Sequence, residues 1–183
     1  MEVQAADFEN LVEIGDVAPN YVIVSDGSGC QASHPFGWFA AIYSWRSRKI
    51  KQLSGGGTNG TNNLAEVMPF LHSLWYLESR YPNPEEKRQV LCVSDSLITC
   101  QIGNAKQIPR SNVCLWAGIN ELEKRGLYYL TWKHVPRNSN PINKLADKIA
   151  GESRKLFLFI REAALAKEGD DAEILLRNQS PAA

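Results

Sequence analysis

The chain has 183 residues, 44% of them hydrophobic, and its 20 basic and 20 acidic side chains leave no formal net charge. That length supports one domain with a proper core, and the charge balance excludes a generic nucleic-acid binder that works by bulk basicity while leaving room for a local basic patch. No run approaches the roughly 18 apolar residues of a membrane span. In chain order, residues 1–19 read as an N-terminal extension ending at Pro19; its acidic start lacks the basic flank and apolar centre of a signal peptide. A strand follows over Tyr21–Ser25, a second over Phe36–Trp45, a basic turn, and a third in KIKQLSG, with the glycine-rich 55–63 as loop. Leu64, Val67, Leu71, Leu74 and Leu77 recur at helical spacing, with Pro69 as a kink or restart point. After a loop in YPNPEEKR, the continuously apolar QVLCVSD reads as a central strand. A short helix starts at Leu97, a longer one follows Ser111 or Asn112 and stops before Gly126, and LYYLTWKHV is the fifth strand. A long helix opens near Lys144 in the domain 20–168, and residues 169–183 read as a flexible tail.

The order β-β-β-α-β-(α)-α-β-α implies an α/β fold: a mixed five-stranded sheet, a three-strand antiparallel meander plus two parallel strands, carrying helices. Within it, Asp26 and Asp95 close two apolar strands with the same grammar, Ser-Asp-small in VSDGS and VSDS. Glu66 sits in the first turn of its helix and Asp147 near the start of the last one. Taken singly, Asp26 suits a turn, Glu66 a helix-capping partner of Asn62, Asp95 an N-cap and Asp147 a solvated helix face. Taken together, four acids at element ends converge where open α/β sheets bind ligands. Such carboxylates repel unless a cation neutralises them. An all-oxygen set suits Mg²⁺ or Mn²⁺, and two such ions about 4 Å apart serve in-line phosphodiester hydrolysis. Cys30, Cys92, Cys100 and Cys114 form no C-x-x-C pair and no zinc spacing, which reads as a reduced, cytoplasmic protein.

The motifs SDGSG, TNNLAE, SDS and NKLAD, in this order and spacing across roughly residues 20–165, resemble the type 1 ribonuclease H family. The resemblance implies a ribonuclease H-like fold with helices on both faces of the sheet. It also implies two divalent metals and cleavage of the RNA strand of RNA–DNA hybrids by a monomer. Carried over, it makes Asp26, Glu66, Asp95 and Asp147 the catalytic, metal-binding acids. It makes Asn62 and Asn63 contacts to the hybrid's minor groove, where the RNA 2′-OH is displayed. Gly27, Ser28 and Gly29 are read as clearing space for a phosphate beside Asp26.

Three departures stand out. Asn138 occupies the place where many members carry a loop histidine in a V-P-x-H context; Arg137 matches a V-P-R variant, and His134 falls before the loop, as a partly buried strand residue. Leu97 replaces a glutamine found two residues after the third acid, and Leu97–Asn112 is too short and weakly basic for the Trp-rich protrusion of some members. The densest basic cluster, Arg46, Arg48, Lys49 and Lys51, reads either as a solvated hairpin tip or as a phosphate contact. Trp116 and Trp132 read as core. The competing readings are a DNA-directed nuclease or junction resolvase of the same superfamily, and a non-catalytic nucleic-acid-binding module.

Overall fold

A computed structural model describes residues 3–13, 18–30, 34–81 and 87–178, with side chains described to 165. Its elements are α1 (Ala5–Glu9), β1 (Tyr21–Ser28), β2 (His34–Ser44), β3 (Ile50–Gly60), α2 (Asn62–Arg80), β4 (Arg88–Ser94), α3 (Leu97–Gly103), α4 (Val113–Lys124), β5 (Tyr128–His134) and α5 (Pro141–Asn178). The five strands form one sheet in the order β3-β2-β1-β4-β5. The first three pair antiparallel, and β4 and β5 lie parallel to β1, as short hairpins and helical crossovers require.

Strand periodicity divides the core. Tyr21, Ile23, Val90 and Cys92 face Val67, Phe70, Leu71 and Leu74 of α2 and Ile119 of α4. Val22, Val24 and Val93 join Ile142, Ala146 and Ala150 of α5 on the opposite side. Val22, Ile23 and Val24 are fully buried, each contributing about 1.5–3 kcal/mol. Helix α2 runs through Pro69 without a break; its buried apolar stripe offsets the hydrogen bond that Pro69 cannot make. Trp116 and Trp132 are core residues, with ring centroids 5.5 Å apart. Among the described residues, no helix is long and apolar enough to cross a membrane.

Several boundaries differ from the sequence reading. Strand β1 extends to Ser28, so Asp26 lies inside its paired length, opposite Phe39. Strand β3 continues through the glycines expected as loop. A Cβ at Gly56 would lie 2.2 Å from the Phe36 carbonyl oxygen and 2.7 Å from the Phe157 ring, so these glycines serve close packing rather than a turn. The described part of the N-terminal extension packs on the domain. Phe8 is fully buried and stacks on Tyr43 with centroids 5.1 Å apart. Lys133 Nζ donates to the Leu11 carbonyl at 2.9 Å and to Glu13 at 3.0 Å. Helix α5 begins at Pro141 rather than Lys144 and runs to Asn178, past the expected start of the tail. Asn140 Oδ1 accepts from Asn143 N at 2.9 Å, capping a helix whose first residue is proline. The expected loop at 82–86 and the last five tail positions, 179–183, lie outside the described residues, as do 1–2, 14–17 and 31–33.

The basic hairpin tip sits at the opposite pole from the acids. Ser44 pairs with Tyr21, five residues and about 17 Å along β1 from Asp26. There Arg48 pairs with Glu9 at 2.6 Å and Lys51 lies over the Tyr76 ring, which favours the solvated-tip reading.

Candidate active site

The parallel pairing of β1 with β4 brings their carboxyl ends together, and helix α2 starts directly above them. Asp26, Glu66 and Asp95 consequently place ligand oxygens within 4.8 Å of one another. Asp26 and Glu66 are buried; Asp95 is half-buried.

Local chemistry keeps each carboxylate available. Asp26 Oδ1 accepts from Gly27 N at 2.7 Å, which orients the group, and Oδ2 is buried without a hydrogen-bond partner. Glu66 Oε1 accepts from Asn62 Nδ2 at 3.4 Å, and its Oε2 is likewise buried and unpartnered. Asp95 escapes capping duty because Ser96 is the N-cap of α3 and accepts from Thr99 N. Helix α2 is capped by Thr61, whose hydroxyl accepts from Leu64 N at 3.1 Å, so neither Asn62 nor Glu66 serves as its cap.

Burial, and then the neighbouring acids, make these groups reluctant to ionise. Asp26 is pushed up to about 7, by desolvation first and Asp95 second. Glu66 is pushed up to about 9, by desolvation first and then Asp26 and Asp95. Asp95 is raised by burial, against the pull of Arg137. Two orphaned buried carboxylate oxygens in a set made only of oxygen donors fit a hard divalent cation, which would replace the missing hydrogen bonds and cancel the repulsion.

Asp147 does not join this cluster. It approaches from the first turns of α5 closely enough to raise Asp26 and Asp95, but its Oδ1 accepts a hydrogen bond from Arg137 Nη2. That ion pair escaped the sequence reading because it joins a loop to a helix across ten residues without helical periodicity. Asn143, one turn before Asp147, was also missed; it is buried, with its Oδ1 within 3.4 Å of Ser139 and Asn140. The Asn-Pro pair that opens the helix is the signal for it.

The glycines beside Asp26 also have a packing role. A Cβ on Gly27 would lie 2.4 Å from Ala65 C and 2.6 Å from Glu66 N, and one on Gly29 2.9 Å from Asn62 Cα. They make room for the backbone of α2. Asn62 is exposed; its Oδ1 accepts from Gly29 N at 3.0 Å and its amide donates to Glu66 Oε1 at 3.4 Å. Asn63 is exposed and Ser28 half-buried at the strand end. His134 is exposed, rather than partly buried, with Nε2 3.2 Å from the Asp95 carbonyl oxygen. Exposed Asn138 adopts a left-handed φ of 59°, a conformation asparagine tolerates well, so backbone geometry gives a physical reason for asparagine here.

This packing predicts a large effect from one methyl group. Gly27→Ala must displace the α2 backbone, costing about 3 kcal/mol and moving Glu66 with it. A lowered urea midpoint together with reduced kcat is the expected result; a midpoint unchanged from wild type would show that the helix contact is slack.

No family model matches the sequence. The chain is 30% identical over 144 residues to the ribonuclease H of Maricaulis maris (strain MCS10), an alignment covering 71% of this chain and 90% of that protein. Among solved structures, the fold is similar to an N-terminal RNase H domain from Mycobacterium tuberculosis at TM-score 0.63 and 17% identity, covering 76% of this chain and 96% of that one. It is similar at TM-score 0.63 and 19% identity to LC11-RNase H1, solved with an RNA/DNA hybrid, covering 75% of this chain and 99% of that one. A sheet in the order β3-β2-β1-β4-β5 carrying a triad of acids where β1, β4 and α2 meet, together with a relative matched over nine-tenths of its length, leads to one conclusion: the chain belongs to the ribonuclease H family.

Proposed function

We propose that the protein is an endonuclease that hydrolyses the RNA strand of RNA–DNA hybrids with Mg²⁺ or Mn²⁺ at the acid cluster. The observation that carries this reading is the meeting of Asp26, Glu66 and Asp95 with two buried oxygens left unpartnered. Divalent cations bound there supply the Lewis-acid polarisation of water and phosphate that phosphodiester hydrolysis requires. Asp26, Glu66 and Asp95 would hold one ion, and Asp26 with Asp147, once released from Arg137, would hold a second.

The remaining work falls to the chain's own groups. Gly27 N fixes the rotamer of Asp26, and Asn62 fixes Glu66, so the two carboxylates are preorganised before substrate arrives. Asn63, exposed at the start of α2, would contact the minor groove of the hybrid. Arg137 offers exposed donors for a phosphate. Asn138 cannot exchange a proton near neutral pH as a histidine would, so this loop supplies no proton carrier at that position.

Labelled RNA–DNA hybrid, duplex DNA and duplex RNA, each with Mg²⁺ or with chelator, test the proposal. Cleavage of the hybrid's RNA strand alone, and only with metal, is expected. Robust cutting of duplex DNA would favour a resolvase-like enzyme, and hybrid binding without cleavage a binding module. In the same assay Asn63→Ala should raise KM for hybrid about tenfold, the loss of roughly 1.4 kcal/mol of binding, with kcat little changed. Equal weakening on hybrid and duplex DNA would remove Asn63 from substrate discrimination.

A further inference from the structure

The acids of this site are not equivalent before a cation arrives. Asp26 and Glu66 keep open, buried oxygens, whereas Asp147 is already taken by the guanidinium of Arg137. We propose that Arg137 is a built-in counter-cation for Asp147, so that the site fills in sequence: one divalent ion enters the triad directly, and a second must displace Arg137 from Asp147. The inference rests on the metal-dependent nuclease reading given above.

Three features support it. The pair lies at the surface, with the Arg137 side chain 68% and the Asp147 side chain 39% exposed, so opening it disturbs no core packing. The arginine stands on a tight turn, with Ser139 N donating to the Pro136 carbonyl at 3.1 Å and Asn138 held at positive φ. The turn leads directly into the α5 cap at Asn140, which fixes the spacing between Arg137 and Asp147. The positive charge of Arg137 also acts on Asp26, Glu66 and Asp95, in each case favouring the ionised form. Asp147 is thus a ligand only after an exchange of partners.

Mn²⁺ titrated into the full-length protein, followed by calorimetry and by the electron paramagnetic resonance of free Mn²⁺, reads this without any turnover. Four proteins are needed: wild type, Arg137→Gln, Asp147→Asn and the double variant, with thermal melts confirming that each is folded. Wild type should bind one ion well and a second weakly. Arg137→Gln should tighten the second about fivefold, the upper end of what an exposed ion pair is worth. Asp147→Asn should leave the first ion unchanged in wild type and should cancel the gain in the Arg137→Gln background, the non-additivity expected of two residues in direct contact. A gain that survives in the double variant would show a general field effect and overturn the proposal, as would an unchanged second site in Arg137→Gln. Weakening of the first ion by Asp147→Asn alone would overturn it too, since Asp147 would then already be a ligand. Failure of Mn²⁺ to bind any of the four would overturn the cation reading of the triad itself, an outcome distinct from the failure of the Arg137 exchange.

Discussion

Asp95→Asn is expected to lower cleavage of hybrid by at least about 10³-fold, a loss of some 4 kcal/mol of transition-state stabilisation, while hybrid binding stays within about tenfold of wild type because phosphate contacts set affinity. The amide keeps the shape of the carboxylate and removes its charge. That charge lies within 4.8 Å of ligand oxygens on Asp26 and Glu66 and raises the pKa of both. The same substitution should therefore stabilise the metal-free protein above about pH 7, where Asp26 ionises and like-charge repulsion with Asp95 appears. A single pair of measurements, single-turnover cleavage with Mg²⁺ and thermal melting in chelator, checks both halves. Cleavage above about a tenth of the wild-type rate, less than 1.4 kcal/mol, would remove Asp95 from the metal-binding set. A lowered melting temperature would show that Asp95 contributes more through structure than it costs through charge.

The second large effect concerns pH. Asp26 titrates at about 7 and Glu66 at about 9 in the folded protein, against about 4 for unfolded carboxyl groups. The folded state therefore binds more protons than the unfolded state between those values, and its stability falls as pH rises through them. The contribution of this pair is most favourable below about pH 4, where both states are protonated, and is lost progressively up to about pH 9. Discounted for solvent screening on the half-buried Asp95 side of the site, the loss is on the order of 2 kcal/mol. For a domain of this size that lowers the melting temperature by about 4–8 °C between acid and mildly alkaline pH. Saturating Mg²⁺ should flatten the profile, because a bound cation does the work of the protons, and its binding at neutral pH should release protons to the buffer. Melting curves in chelator that rise with pH over this range would contradict the raised carboxyl groups. A pH slope that Mg²⁺ leaves untouched would place the ion elsewhere.

Much of the site was legible in the sequence because its signals are short-range. Strand β1 announces itself by its apolar run, and the Ser-Asp-Gly that follows marks Asp26; the same grammar marks Asp95. Parallel pairing then follows from chain order, since a helix separates the two strands, and the carboxyl ends of neighbouring parallel strands must lie together. Glu66 was legible from its place in the first turn of an amphipathic helix. Composition and motif order also sufficed for the mixed sheet, because alternating apolar patterns and glycine punctuation are local properties of the chain.

What only the tertiary structure decided depends on contacts between residues far apart in sequence. Gly27 and Gly29 read as turn residues or room for a ligand, and only the structure shows the backbone of α2 resting on them. The glycines of β3 look like loop until the rings of Trp38, Phe36 and Phe157 are placed beside them. Phe8 lies in an acidic, polar stretch that reads as an extension, and only the open face beside Tyr43 shows why it is buried. Asn62 reads as a substrate contact from its motif, and only the structure shows that it also joins Glu66 to Gly29. Asp147 is named by its motif, yet whether it lies with the triad or with Arg137 is settled by the turn at Asn138 and the cap at Asn140, which set the distance between loop and helix. Pattern and propensity locate a carboxylate on an element; its partner is chosen by packing and by charges that reach it through space, and neither is written in the residues adjacent to it.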